Sequence, residues 1–170
     1  LNPVVCHPPC VRWCKLTFML YAKHQSSLYL PGNDQGCFQC ALINVNRCGG
    51  VLEHPACSFA WKVFNLTKPV KGRWIACGKG FVCEVWQSTY GHKAKKPTWL
   101  YYRGSQPPFD LRWTYELGTH QVAGKNMKAK NYKPKLSKHE CIATPEEFRD
   151  ELIRLAAHSH GWRIRIEPEE

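Results

Sequence analysis

VVCHPPC at residues 4–10 and GGVLEHP at residues 49–55 are the two stretches that decide the fold. Each is a short, mainly apolar run that stops at prolines. Because proline cannot donate to a β-ladder, each run predicts a strand that ends there. Cys10 and Glu53 stand at these strand ends. In an open α/β sheet, ligands bind beyond the carboxyl ends of the strands. We therefore expect the Cys10 thiol and the Glu53 carboxylate to share one cleft.

A helix is predicted between the two strands, over residues 34–48. Asn33 or Asp34 can cap its amino end, and Gly49-Gly50 is a natural stop. Residues at steps of three and four predict its apolar face, namely Cys37, Cys40, Ala41, Val45 and Cys48. The strand–helix–strand order favours a right-handed crossover, so residues 2–6 and 50–53 should be parallel strands of one sheet.

The rest of the chain is expected to complete one domain over residues 1–170. Its further elements are strands over 81–88 (in the same sheet) and 98–102, a loop-rich part over 56–80, an irregular basic segment over 103–140 and a helix over 144–158. Thr144 begins a predicted capping box for this last helix. Its apolar stripe is predicted to be Phe148, Leu152, Leu155 and Ala156.

Charge is distributed unevenly along the chain. Residues 1–139 hold 20 Lys or Arg against 5 acids, residues 140–170 hold 4 Arg against 8 acids, and the formal net charge is +11. One stretch without an acid contains Lys125, Lys128, Lys130, Lys133, Lys135 and Lys138. Such a segment attracts phosphates and releases counterions on binding. We expect a nucleic acid partner, while a solvated lysine loop that keeps the protein soluble is the alternative.

Four blocks in the same order resemble the cytosine-C5 DNA methyltransferases, most of all their short relatives from phages and prophages. They are the Pro-Pro-Cys that ends at Cys10, the Leu-Glu-His-Pro around Glu53, the block at 85–100 with Gln87, Tyr-Gly-His and Thr-Trp-Leu, and the Thr-Pro-Glu-Glu at 144–147. The resemblance covers about residues 3–157. It implies an α/β fold with a partial Rossmann-like, methyltransferase-type sheet, and an enzyme that modifies bases in DNA.

The resemblance also implies roles for particular side chains. In this family a cysteine thiolate adds to C6 of cytosine while a carboxylate contacts N3, which assigns these roles to Cys10 and Glu53. The base must leave the duplex first, which favours a basic and aromatic surface. The residues expected to contact nucleic acid are His7, Arg12, Gln87, His92, Lys93, Lys95, Lys96, Thr98, Lys128, Lys130, Lys133 and Lys135.

Departures from the family pattern concern the methyl donor most. The family holds S-adenosylmethionine at a Phe-X-Gly-X-Gly turn, which has no counterpart in this chain. Val11 stands where Gln usually follows the cysteine, His54 replaces the Asn of Glu-Asn-Val, and the arginines that often follow Gln87 are absent. We expect the chain alone to bind S-adenosylmethionine weakly or not at all. A protein partner would then complete the donor site.

Three function classes stay open at this point. The first is a cytosine-C5 methyltransferase-like enzyme, or half of one. The second is a non-catalytic DNA- or RNA-binding protein derived from that fold. The third is an enzyme that uses the same thiol on a base or nucleotide without S-adenosylmethionine. Metal binding is not expected, because the Cys-X-X-Cys of Cys37 and Cys40 falls on the predicted apolar face and the zinc deaminase pattern is not met.

The expected compartment is the cytoplasm, of a bacterial host if the chain is phage-encoded. No apolar run is long enough to span a bilayer, so no membrane partner is expected. No charged leader with a small-residue cleavage site opens the sequence. The 10 cysteines are then interpreted as reduced thiols rather than disulfides.

Overall fold

The structure, a computed structural model, describes residues 1–122 and 133–162. Its helices and strands are β1 (Val4–Cys6), α1 (Lys15–His24), α2 (Cys37–Cys48), β2 (Gly50–Pro55), α3 (Phe59–Val63), β3 (Ile75–Cys77), β4 (Gly80–Trp86), β5 (Pro97–Arg103), α4 (Lys138–Ile142) and α5 (Glu146–His158). Short 3₁₀ helices occupy Ser27–Tyr29 and Gln87–Tyr90.

The strands form one mixed sheet in the order β1-β2-β5-β4-β3. β1 and β2 are parallel, and the other neighbouring strands are antiparallel. α2 connects β1 to β2 and contacts both, so the predicted parallel pair with a helix between its strands is confirmed. Gly50 begins β2 with a φ of +120°, and a Cβ there would come within 2.0 Å of the Val4 carbonyl oxygen. This close approach of the two strands requires glycine.

Side chains from both faces of the sheet are buried, in two clusters. Leu52, Trp99 and Tyr101 point to the face covered by α2 and α3, where they pack with Phe38 and Trp61. The opposite face carries α5, and its cluster comprises Val51, Cys83, Val85, Tyr90, Leu100, Tyr102, Leu111, Phe148, Leu152 and Leu155. The predicted apolar stripe of the last helix is therefore confirmed. The fold is mixed α/β.

The predicted apolar face of α2 is wrong at its amino end. Cys37 and Cys40 are exposed, whereas Phe38 is fully buried. The helix turns Phe38 and Val45 towards the sheet, because an aromatic ring buries more apolar surface than a thiol does. The helix begins at Cys37 with Gly36 as its N-cap residue, so its predicted start at residue 34 is wrong. The Asp34 carboxylate precedes it and accepts hydrogen bonds from the amides of Gly36 at 3.0 Å and Phe38 at 2.8 Å.

Other elements differ from the predictions for local reasons. The side chain of Thr144 does not cap α5, which begins at Glu146 after Pro145; the capping box belongs to Ser137 and Glu140 at the start of α4. β4 ends at Trp86, and residues 87 and 88 belong to a 3₁₀ helix. α1 was not predicted, because only one of its residues, Thr17, is buried and no apolar stripe marks it.

Candidate active site

The Cys10 loop and the end of β2 lie side by side, because β1 and β2 are parallel neighbours, with prolines soon after β1 and at the end of β2. Beyond β1, the chain turns at Cys10, whose carbonyl accepts a hydrogen bond from the amide of Trp13 at 2.9 Å. His7 joins this loop to β2, since its Nδ1 lies 2.8 Å from Oε2 of Glu53. The fold thus brings the loop of the predicted nucleophile to the predicted carboxylate.

A buried glutamine holds Glu53 from the other side. Nε2 of Gln87 donates to Oε1 of Glu53 at 3.3 Å and to Oγ1 of Thr98 at 3.0 Å. Gln87 and Thr98 are fully buried, whereas the Glu53 side chain keeps 12% of its exposure. Thr98 faces the same side of the sheet as Glu53, because Leu100, two residues further along β5, pairs with Glu53. Three predicted site residues therefore form one hydrogen-bonded network.

The Cys10 thiol is half-buried and lies in the electrostatic field of this network. Burial raises its pKa, and negative charges at Cys14 and Glu53 raise it further. The backbone amide of Cys10 and the ammonium group of Lys96 act in the opposite direction without cancelling the effect of burial. The raised pKa keeps Cys10 protonated at neutral pH. Because the thiolate is the nucleophilic form, Cys10 is less reactive in this state.

Lys96 supplies a positive charge that acts on both Cys10 and Glu53. Burial lowers its pKa, and the negative charges of Glu53 and Cys10 oppose that shift. Its Nζ donates to the carbonyl oxygen of Ala143 at 2.6 Å, just beyond α4. Its own carbonyl accepts from the amide of Gln87 at 3.2 Å. Lys96 thus connects the carboxylate network to α4.

His92 and Lys93 make internal contacts with α4. His92 is buried, and its Nε2 lies 3.2 Å from the carbonyl oxygen of Glu140. Nζ of Lys93 lies 2.8 Å from Oε1 of Glu140, and this contact is the largest cause that lowers the pKa of the exposed carboxylate to about 2. The structure therefore places both side chains where they hold α4 against the β4–β5 connection, and the His92 amide donates to the carbonyl oxygen of Gln87 at 3.1 Å.

Arg12 and Lys95 are partly covered. Arg12 is half-buried in the turn that follows Cys10. Nζ of Lys95 lies 3.8 Å from the ring centroid of Trp86, which is a cation–π contact. Arg12 is close in sequence to Cys10, and Lys95 is next to Lys96. The ammonium group of Lys95 is occupied by its contact with the Trp86 indole.

The predicted lysine segment lies partly outside the described residues, since Lys125, Lys128 and Lys130 are not among them. Lys133 donates to the carbonyl oxygens of Leu117, at 3.3 Å, and of Gly118. Among the described lysines of this segment, Lys135 and Lys138 are exposed and present their charge to solvent, and Lys133 binds the backbone.

His54 is a supporting residue whose role the sequence did not reveal. It is fully buried, and neither ring nitrogen has a hydrogen-bond partner among the described residues. Burial lowers its pKa to about 4, while Glu53 and the carbonyl groups of Pro9 and Pro8, which approach the ring, oppose this shift. His54 therefore lies neutral beneath the Cys10 loop. Its place two residues after Leu52, on the same face of the predicted strand, is the signal that could have predicted this burial.

Neither a metal cluster nor a membrane span is found in the described part of the chain. No group of three or more His, Cys, Asp or Glu side chains is placed there to hold a metal ion. Within residues 1–122 and 133–162, no helix is both long and apolar enough to cross a bilayer.

Comparisons with known proteins add no relative to this picture. No model of a known protein family matches the chain, and neither a curated protein nor a solved structure shows significant similarity to it.

Proposed function

We propose that this protein acts on nucleic acid as a base-modifying enzyme resembling the cytosine-C5 DNA methyltransferases, with Cys10 as the nucleophile and Glu53 as the carboxylate that holds the base. The observation that carries this proposal is the network at the carboxyl ends of β1 and β2. His7 and Gln87 each contact one oxygen of Glu53, and His7 belongs to the same loop as Cys10. A buried amide that holds a carboxylate at a strand end is the preorganisation that catalysis requires.

The two partners of Glu53 differ in a way that suits substrate binding. Gln87 is fully buried and fixes Oε1, whereas the His7 side chain is 42% exposed and covers Oε2. A pyrimidine ring that enters the site would displace the exposed imidazole and leave the buried amide in place. Oε2 of Glu53 would then contact N3 of the base, and the Cys10 sulfur would add to C6.

The charge distribution supports a nucleic acid as the partner. The chain carries a formal net charge of +11, and phosphate contacts from lysines stabilise nucleic acid complexes through counterion release. The family resemblance favours DNA, and with it a cytoplasmic location in a bacterial host.

The described residues do not fit S-adenosylmethionine. A donor site of this class uses a glycine-rich turn from a strand into a helix. Gly78 instead lies in the turn between antiparallel β3 and β4, and Gly80 begins β4, while prolines follow β1 and end β2. A partner protein that completes the donor site therefore belongs to the proposal.

A non-catalytic nucleic-acid-binding protein is the second candidate, and the raised pKa of Cys10 favours it. An enzyme that uses the same thiol without S-adenosylmethionine is the third. All three predict salt-sensitive binding of nucleic acid. They differ in whether the sulfur forms a bond with the base, and in whether that bond requires the donor.

The test is covalent trapping on modified DNA. In 5-azacytosine, a ring nitrogen replaces C5, so the adduct at C6 is completed by a proton and needs no methyl donor. In 5-fluorocytosine, only a transferred methyl group makes the adduct permanent. Each DNA is incubated with and without S-adenosylmethionine, and complexes that survive denaturation are separated by size.

We expect an adduct with 5-azacytosine for the wild type and for Cys57→Ser, which removes an exposed, unrelated thiol. Cys10→Ser should form none. DNA binding without any adduct would establish the non-catalytic alternative. An adduct that persists in Cys10→Ser would refute the assignment of the nucleophile. A donor-independent adduct with no trapping on 5-fluorocytosine would favour the third class or a missing partner.

A further inference from the structure

The amino end of α2 carries two exposed thiols that the proposed function does not use. Cys37 is the first residue of the helix and Cys40 the fourth, so both belong to its first turn. Residues three apart in a helix lie on the same side, with Cβ atoms about 5–6 Å apart. A disulfide needs Cβ atoms at about 3.5–4.5 Å. This small closure breaks no hydrogen bond inside the helix at Cys37, whose amide binds the Asp34 carbonyl oxygen before the helix at 3.2 Å.

The structure holds this turn with both cysteines exposed. Between the two cysteines, Phe38 is fully buried. Asp34 accepts the amides of Gly36 and Phe38, and so anchors the turn from the other side. Cys40 also has a polar neighbour, since Nδ2 of Asn44 lies 3.4 Å from its sulfur. A donor at that position stabilises negative charge on a sulfur that attacks or leaves.

We propose that Cys37 and Cys40 form a redox-active dithiol that exchanges with small-molecule disulfides such as oxidised glutathione. One thiol loses its proton and attacks a glutathione sulfur, which releases one glutathione thiolate and forms a mixed disulfide. The second cysteine then attacks the protein sulfur of that bond and releases the second glutathione. The dithiol is oxidised by two electrons, and one oxidised glutathione becomes two reduced molecules.

Cys6 is the competitor that this proposal must exclude. Its pKa is raised by burial first and also by the charges of Cys40 and Cys48, so Cys6 lies near Cys40. A half-buried thiol with a raised pKa attacks a disulfide slowly. Cys37 is exposed and shares the helical turn with Cys40, so Cys37 should capture the mixed disulfide first.

The dithiol lies close to the Cys10 loop through one hydrogen-bonded link. Nε1 of Trp13 donates to Oδ2 of Asp34 at 2.8 Å, and the same oxygen accepts the Phe38 amide. The amide of Trp13 also binds the Cys10 carbonyl. Disulfide formation at Cys37 therefore occurs beside the loop of the proposed nucleophile, while the redox chemistry itself does not depend on that proposal.

The experiment equilibrates the intact protein with glutathione buffers of graded composition, blocks free thiols with N-ethylmaleimide and maps peptides by mass spectrometry. We expect a Cys37–Cys40 disulfide whose fraction follows the ratio of oxidised glutathione to the square of reduced glutathione, and which returns to the dithiol in dithiothreitol. Cys57, an exposed thiol outside this pair, should instead carry bound glutathione under the same conditions.

Two variants sharpen the result. Cys37→Ser should leave Cys40 carrying glutathione, as Cys57 does, whereas Cys57→Ser should leave the disulfide fraction unchanged within error. Glutathione on both Cys37 and Cys40 in the wild type, or a Cys6–Cys40 disulfide, would overturn the proposal. Circular dichroism of the oxidised wild type should match the reduced form, and the wild-type peptide map decides the matter even if a variant fails to fold.

Discussion

His54 makes the fold sensitive to acid, because it is a titratable side chain enclosed in a core. Its pKa is about 4 in the folded chain, against an ordinary value of 6.5. Between these two values the unfolded chain binds more protons than the folded one, so the free energy of unfolding falls as the pH falls. The full stability is present above pH 6.5, and the loss is complete near pH 4.

The size of the effect follows from this difference. About 2.5 pKa units correspond to about 3 kcal/mol once the group is protonated in the unfolded chain only. Between about pH 7.5 and pH 5 the loss should be about 2 kcal/mol. For a chain of this length that lowers the melting temperature by roughly 4–8 °C. Leucine at this position removes the titrating ring with its two unpaired nitrogens, so His54→Leu should lose most of this pH dependence.

Urea unfolding at a series of pH values tests this reasoning. Wild type and His54→Leu are compared with His24→Leu, which removes an exposed histidine at the end of α1. We expect the His24→Leu profile to run parallel to the wild type and the His54→Leu profile to be flatter by about 2 kcal/mol. Parallel profiles for all three proteins would show that burial of this ring does not govern the acid response.

Four further predictions concern packing, the carboxylate network, charge and the donor. Gly50→Ala should destabilise the fold by at least about 3 kcal/mol in urea, since its Cβ would meet a carbonyl oxygen of β1, whereas Gly72→Ala, with open space around it, should cost only about 1–2 kcal/mol of left-handed strain. Gln87→Leu should slow adduct formation by at least about tenfold, because a hydrogen bond to a charged group contributes about 1.5–3 kcal/mol, and Thr89→Ala, which removes a bond to a loop carbonyl, should not. Calorimetry should detect no S-adenosylmethionine binding to the isolated chain, and a micromolar dissociation constant, about 8 kcal/mol, would contradict this. The last variant replaces the lysines predicted to bind phosphate with alanine, namely Lys128, Lys130, Lys133 and Lys135. The slope of the logarithm of DNA affinity against the logarithm of salt concentration should flatten by about one unit for each phosphate that the variant no longer neutralises. An unchanged slope would make these lysines a solubility feature.

The sheet around the site could be predicted because its signals are local. Prolines after β1 and at the end of β2, and a glycine pair after α2, mark the ends of these elements in the sequence itself. Their parallel pairing then follows from the handedness rule for crossovers. The expectation that Cys10 and Glu53 share a cleft rests on this basis alone, and the contact of His7 with Glu53 joins the Cys10 loop to the end of β2.

The contacts of the basic residues could not be predicted in the same way, since they join distant parts of the chain. In the sequence, Lys93 and Lys96 look like solvent-facing cations. Their partners lie more than forty residues later, namely Glu140 in α4 and the carbonyl group of Ala143 just beyond it. The side of α2 that carries Cys37 was also misjudged. Periodicity alone does not say whether a thiol or the neighbouring phenyl ring turns towards the sheet.

Glu53 is positioned for its proposed role in the free protein and Cys10 is not activated for its own, and this difference implies an order of events at the proposed site. Glu53 is held by a buried amide before any substrate arrives, whereas the burial that raises the pKa of Cys10 keeps its thiol protonated. Lys96 is the described cation that favours the thiolate, and its ammonium group is held by the carbonyl of Ala143. A base would therefore first replace the exposed imidazole of His7 on Glu53. Addition of the sulfur to C6 would follow, and the proton that leaves Cys10 would be transferred through Glu53 to N3 of the base as the S–C6 bond forms.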